Sequence, residues 1–313
     1  MKVSGAAISS LTGRSVRLLG VETQAVDVLI LGAVLIFDLL IVMFHGRIPA
    51  AGTLLLKNTL TGAVYFAATA AFRRVKSGPL RWLIRTASVQ LACGQLFMIA
   101  MPMNLILVRS WQDPALLRFE QGVFGVQPTI WLERFITPAL TEWMMFAYVI
   151  YLVIYPGLSA LIYIKRGEPA MEDYLFNLAA VNLTCFFLFF AFPIAGPLYF
   201  QPEAYTVPLR GGLFASIGEY IRTNIHEIGG NLPSPHCAVA TVMWGFAYRY
   251  VRPAFYALAP VILSLYLATF YLRFHYVSDS VAGILSGAFV ILAAPGLLKA
   301  WNAALGREGR RTP

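Results

Sequence analysis

The chain has 313 residues, 58% hydrophobic and 12% charged, with 24 Lys and Arg against 15 Asp and Glu. A soluble globular domain is about one quarter charged, and a mean hydropathy of +0.68 excludes that class. The net charge of +9 does not call for nucleic acid, because membrane proteins collect Lys and Arg in their cytoplasmic loops.

Apolar runs of about 20 residues, the length that crosses a bilayer as a helix, recur from end to end. They predict an all-α, polytopic transmembrane helical bundle. Residues 1–20 read as a short basic leader. The first apolar run is too long for a signal-peptide core and has no small-residue cleavage site behind it, so it reads as a retained span. About eight spans are expected, near 24–44, 52–72, 83–108, 138–164, 174–192, 236–251, 253–272 and 278–298. Asp27, Lys57 and Arg85 fall close enough to span ends to sit at the interface. Asp38 does not, and no chemistry is assigned to it. Cys93 and Cys185 lie inside apolar runs and Cys237 begins one. Their spacing suggests neither a disulfide framework nor a zinc site, and they read as packing residues.

Between the third and fourth spans, residues 109–137 carry Trp111, Trp131 and several charges. Phe124–Leu132 reads there as a turn feeding a short helix, in a segment suited to the headgroup region. Residues 193–235 form a long Gly- and Pro-rich connection, and connections of that length are often functional. Arg252 and Pro253 allow only a tight turn between the sixth and seventh spans. The basic tail Arg307–Pro313 is expected to be disordered.

With the N-terminus inside, about two thirds of the Lys and Arg fall on the cytoplasmic side, and every cytoplasmic connection carries at least two. Both termini are then cytoplasmic. The segment before the sixth span and the turn between the seventh and eighth share the other face. Those two places hold Pro233-Ser234-Pro235-His236 and His275-Tyr276-Val277-Ser278-Asp279. His275 and Asp279 are spaced i,i+4, so a helix starting there sets them on one face. A carboxylate on one imidazole nitrogen fixes the tautomer and leaves the other as nucleophile or base. A second histidine can protonate a leaving group, and a hydroxyl with guanidinium groups can hold an anion. That set suits phosphoryl transfer, which needs positioning and charge stabilisation more than covalent machinery. His236, His275 and Asp279 also offer metal ligands, but Arg273 beside them opposes a cation. No metal and no cofactor is assigned.

Pro-Ser-x-His followed by His-Tyr-x-x-Asp resembles the second and third motifs of the type 2 phosphatidic acid phosphatase superfamily. Thr269–Asp279, Phe124-Gly-x-x-Pro128-x-x-Trp131-Leu132 and Phe192-Pro193-x-x-Gly196-Pro197 resemble its inositol phosphorylceramide synthase branch. The resemblance covers about residues 110–298. It implies a catalytic helix bundle over 109–300, after a three-span region over 1–108 and before a tail over 301–313. It implies His275 as nucleophile, Asp279 as its partner, His236 as general acid and Ser234 as a phosphate ligand. This chain departs from the wider pattern: the Lys-and-Arg first motif is absent, Ala268 and Thr269 stand where the phosphatases carry Ser-Arg, and Pro235 replaces a glycine. Arg273, Arg210 and Arg222 are the candidate substitutes for the missing phosphate donors, Arg273 first because it lies within a turn of His275.

The resemblance thus implies a lipid phosphate or phospholipid substrate. Water as acceptor makes a phosphatase; a lipid alcohol makes a phosphotransferase, which the branch favours. A compact chain favours a bacterial plasma membrane, with an endomembrane whose lumen faces the site as the other reading. The non-enzymatic alternative is a transporter or binder of anionic lipids using the basic extracytoplasmic loop. It gives the histidine–aspartate pair no particular task.

Overall fold

A computed structural model describes residues 15–224 and 228–308, with side chains to residue 305. Most of the basic leader, His226, Glu227 and residues 309–313 of the tail lie outside the described residues.

The described chain opens on a hairpin that the leader reading did not foresee. Val16–Leu18 (β1) pairs antiparallel with Val21–Thr23 (β2). Leu19 and Gly20 turn it with φ of 46° and 80°, the positive-φ pair that matches strand twist. Helices follow: α1 Ala25–Met43, α2 Ala51–Arg74, α3 Gly78–Ala100, α4 Asp113–Phe124, α5 Pro128–Trp131, α6 Pro138–Arg166, α7 Glu168–Ala191, α8 Pro197–Phe200, α9 Leu213–Asn224, α10 Pro235–Tyr250, α11 Arg252–Tyr271 and α12 Val277–Glu308.

A helix lies at each place where a span is expected. Six of them, α1, α3, α6, α7, α11 and α12, are long and apolar enough to cross a membrane, which makes this a multi-pass membrane protein. α2 has the length but carries Lys57, Arg73 and Arg74. α10 has 16 residues, about 24 Å, against a hydrocarbon core of about 30 Å. Along α12, Val281, Leu285, Phe289 and Leu292 are exposed, as are Leu35, Leu39 and Val42 of α1. Large apolar side chains exposed in one stripe per helix form a surface that lipid covers.

α7 is apolar nearly all round and is buried accordingly. It packs against α1, α3, α6, α10 and α12. α10 and α12 approach closely along Gly283 and Gly287, where a Cβ would lie 2.4 Å from the Ser234 carbonyl and 2.6 Å from that of Ala238. Small residues at such a seam bring helix backbones together, and here they bring Ser234 beside the first turn of α12.

Asp27 and Arg85 depart from the interfacial expectation: both are fully buried. Arg85 donates to Asp27 Oδ1 at 2.5 Å and to both Glu172 oxygens at 2.7 and 2.8 Å. Tyr65 donates to the same Asp27 oxygen at 2.8 Å. The cluster joins α1, α2, α3 and α7, and burial is sustained because each charge is paired and hydrogen-bonded. Asp38 is explained more simply. It accepts from Asn58 Nδ2 at 2.8 Å and Thr59 Oγ1 at 3.2 Å, bracing α1 on α2.

Candidate active site

Ser234 caps α10. Its Oγ accepts from Cys237 N at 3.4 Å, one of the donors a helix start leaves unpaired. Its own N–H donates to the Asp279 carbonyl at 2.9 Å. His236 follows in the first turn of α10. On the other side, α11 ends at Tyr271 and Arg273 takes a left-handed φ of 67°. That reversal aims His275 back at α10, and His275 N donates to Thr269 O at 3.0 Å. α12 then starts at Val277, so Asp279 sits in its first turn, with Oδ2 accepting from Tyr276 N at 2.9 Å.

The two motifs meet. His275 Nε2 lies 3.4 Å from His236 Nδ1. His275 Nδ1 faces Asp279 Oδ2 at 3.6 Å, just outside ordinary hydrogen-bond reach. Nδ1 of His275 and Oδ1 of Asp279 are buried without a hydrogen bond in this geometry. Burial pushes the His275 imidazole down to about 3, against a smaller upward pull from the Asn231 backbone. A neutral ring with Nδ1–H turned to the carboxylate leaves the lone pair on Nε2.

Two carboxylates from α4 hold this turn. Asp113 accepts from Ala195 N at 2.8 Å, Gly196 N at 3.0 Å and Tyr276 OH at 3.1 Å. Glu120 accepts from Ser278 N at 2.7 Å, satisfying a donor at the start of α12. Burial raises both carboxyls above the usual range, and these hydrogen bonds pull the other way. Gly196, at φ 95°, leaves no room for a side chain. A Cβ there would lie 1.7 Å from the Asn231 amide.

The arginines are spread out. Arg273 is buried, and its Nη2 donates to Glu133 Oε1 at 2.7 Å and to the Val207 carbonyl. Its guanidinium lies 4.6 Å from the Tyr205 ring centre, and its Nε is buried without a partner. Arg222 pairs with Glu219 within α9. Arg210 is exposed in the loop before α9. Glu142 of α6 accepts from the N–H groups of Gly212, Phe214 and Ala215, fixing α9 at its N-terminus.

Both histidines line a cavity of about 320 Å³ between α3, α6, α7, α9 and α10. Tyr148 stacks on His236 at 4.4 Å and on Phe274 at 4.6 Å, and Tyr151 tilts against His236 at 5.0 Å. These tyrosines, Asp113, Glu120 and Asn231 are absent from the residues singled out by motif. Their signals were available: Tyr148-x-x-Tyr151 at i,i+3 inside a span, and Asp113 and Glu120 seven apart, on one face of the segment over the site. A family model described as the PAP2 superfamily matches residues 114–294. No curated protein and no solved structure matches the chain.

Proposed function

Since the chain belongs to the PAP2 superfamily, a membership that points to a membrane protein of lipid phosphatase or phosphotransferase type, we propose that it moves a phosphorus-bearing group from a lipid through a phosphohistidine on His275. One observation carries this reading: the His275 Nε2 to His236 Nδ1 approach of 3.4 Å, with the Asp279 carboxylate behind the other nitrogen of His275.

In the first step the Nε2 lone pair of His275 attacks phosphorus. The bond from phosphorus to the lipid alcohol oxygen breaks, and that oxygen takes a proton from His236. Asp279 receives the Nδ1–H of the phosphoimidazole and offsets its positive charge. In the second step His236 removes a proton from the incoming O–H, whose oxygen attacks phosphorus and releases His275. Ser234 and Arg273 bind the phosphate oxygens. Arg210 and Arg222 draw anionic headgroups toward the site.

The acceptor is a lipid alcohol, as in inositol phosphorylceramide synthases. Aromatic walls around His236 support this, because a site closed to water favours transfer over hydrolysis. α2 and α10 cross the membrane with the other six long helices. Both termini are cytoplasmic, and the site faces the extracytoplasmic side of a bacterial plasma membrane. Residues 1–108 are the region before the catalytic unit of 109–300, and 301–313 are a basic tail.

The test is to incubate purified protein with a panel of lipid phosphates and phosphatidylinositol, with and without ceramide. A new phospholipid bearing the acceptor is expected. Free phosphate with no acceptor dependence would make the protein a phosphatase. His275→Ala should lower turnover by about a thousandfold or more and remove an acid-labile phosphoenzyme. Full activity in that variant would sink the assignment of the nucleophile.

A further inference from the structure

The cavity beside the histidines has a wall that the matched domain does not supply. Tyr148, Tyr151, His236 and His275 lie within residues 114–294. Gln90, Gly94 and Met98 also line it, and they belong to α3, ahead of the match. We infer that this cavity is the alcohol site of the reaction. It takes the hydrocarbon body of a lipid alcohol sideways between α3 and α6, with the hydroxyl at His236, and α3 sets which alcohol is admitted. The inference rests on the transfer reading above and names the part of the substrate that this pocket holds.

Four observations support it. First, His236 and His275 line the cavity while Ser234 and Arg273 do not. The cavity therefore serves the oxygen that leaves or attacks phosphorus, not the phosphate anion. Second, no Lys, Arg, Asp or Glu lines it among the described residues. Its occupant is uncharged and largely apolar. Third, the lining residues Gly94, Met98 and Leu152 are exposed, so the cavity opens between α3 and α6 on the lipid-covered surface. A Cβ on Gly94 would meet nothing within 4 Å; that glycine is open space in the wall. Fourth, three amides line the apolar space, and of these Asn231 is engaged by Gly229 and Gly196. Gln90 Nε2 donates to Leu152 O at 3.4 Å and Asn182 Nδ2 to Leu178 O at 2.8 Å. Their oxygens are left to accept. The site thus prefers an alcohol carrying a second donor, a hydroxyl or amide N–H, over one with a plain chain.

The cavity's 320 Å³ lies at the small end of ligand pockets and holds one alcohol at a time. The departing and incoming alcohols therefore occupy it in turn. On the return step the alcohol O–H breaks, its proton passes to His236, its oxygen bonds phosphorus, and the electron pair of the N–P bond returns to His275 Nε2. The product of the first step competes with the acceptor of the second.

The test uses the full chain with Gly94→Ala, Gly94→Val and Gly94→Leu, and Gly32→Leu as a control. Gly32, in α1, also meets nothing within 4 Å but lies outside the cavity. Alanine favours a helix over glycine, so the series starts from a folded variant. Two readouts are taken: the ratio of kcat/KM for long-chain over short-chain alcohol acceptors, and photolabelling by a diazirine-bearing hexadecanol mapped to peptides. Each methylene kept out costs about fourfold. The ratio should fall stepwise, reaching about tenfold or more with leucine, and stay unchanged in Gly32→Leu. Labels should fall on α3 and α6 and be lost in Gly94→Leu. Gln90→Leu should erase the preference for a second donor. Turnover with an unchanged ratio and labels elsewhere would overturn the alcohol site and leave the transfer reading standing. Labels on α3 and α6, lost in Gly94→Leu, without turnover of any lipid phosphate would keep the site and overturn the transfer reading.

Discussion

A histidine that attacks phosphorus, the role proposed for His275, must keep its lone pair, and burial does this. The folded protein holds the ring neutral down to about 3, while an unfolded chain protonates it near 6.5. Between those values the unfolded state binds the extra proton, so stability falls as pH drops through that window and is unaffected above it. Thermal unfolding in detergent should therefore show Tm falling from pH 7 to 4.5, with a shallower fall in His275→Asn. Parallel slopes would mean that the ring is not buried neutral. His275, His236, Asp279 and Ser234 were legible because their chemistry and spacing are unusual inside apolar sequence. Arg273 was legible as a cation but not in its engagement. Its partners Glu133 and Val207 lie 140 and 66 residues away, and no local pattern encodes such distances. Its left-handed backbone, which costs a non-glycine residue about 1–2 kcal/mol, is likewise invisible until the turn is seen. The buried pair with Glu133 opposes that cost.

At the level of elements, α4 shows what a segment over the site contributes. The sequence put it in a segment suited to the headgroup region, from Trp111, Trp131 and several charges. Phe119, Val123 and Phe124 on it are exposed, as an interfacial helix requires. What hydropathy could not show is that its buried acids grip the turn carrying His275. Asp113 holds Tyr276, and Glu120 holds Ser278. They act through that turn as positioning residues. Glu120→Ala should lower kcat about tenfold with KM little changed, since small misplacements of reacting groups cost rate. Glu120→Gln, whose amide oxygen still accepts from Ser278 N–H, should restore most of it. A rise in KM alone would instead make Glu120 a substrate contact. The hairpin of β1 and β2 escaped prediction because each strand is three residues long, too short for a period-2 pattern to stand out.

For the whole molecule, hydropathy located the helices at the eight expected spans because lipid demands long apolar runs and internally paired backbone. It misjudged the charges near span ends. Asp27 and Arg85 read as interfacial because one-dimensional position gives depth but not neighbours, and their third partner, Glu172, lies on α7. The cluster ties the first three helices to the core of the matched region. Removing Arg85 leaves two carboxylates buried against each other. Arg85→Ala should cost about 3–5 kcal/mol, seen as a large loss of Tm and of folded yield in detergent. Arg81→Ala should cost far less, because its pair with Glu168 is partly exposed. Equal losses in the two variants would show that the buried cluster has no special weight.

That cluster also orders the chain's synthesis. Arg85 enters the membrane with Asp27 already present, but Glu172 emerges 87 residues later. An unpaired arginine at a helix centre costs about 2.5–3.5 kcal/mol on insertion scales, and the Asp27 carboxylate offsets that cost from the start. Until α7 arrives, Arg85 and Asp27 balance in charge, and the guanidinium keeps the donors that later meet Glu172. Glu172 takes those donors, so the first helices gain this tie to the core only when the fifth long one is delivered. The helix that walls the cavity beside the histidines is joined to α7 at that step.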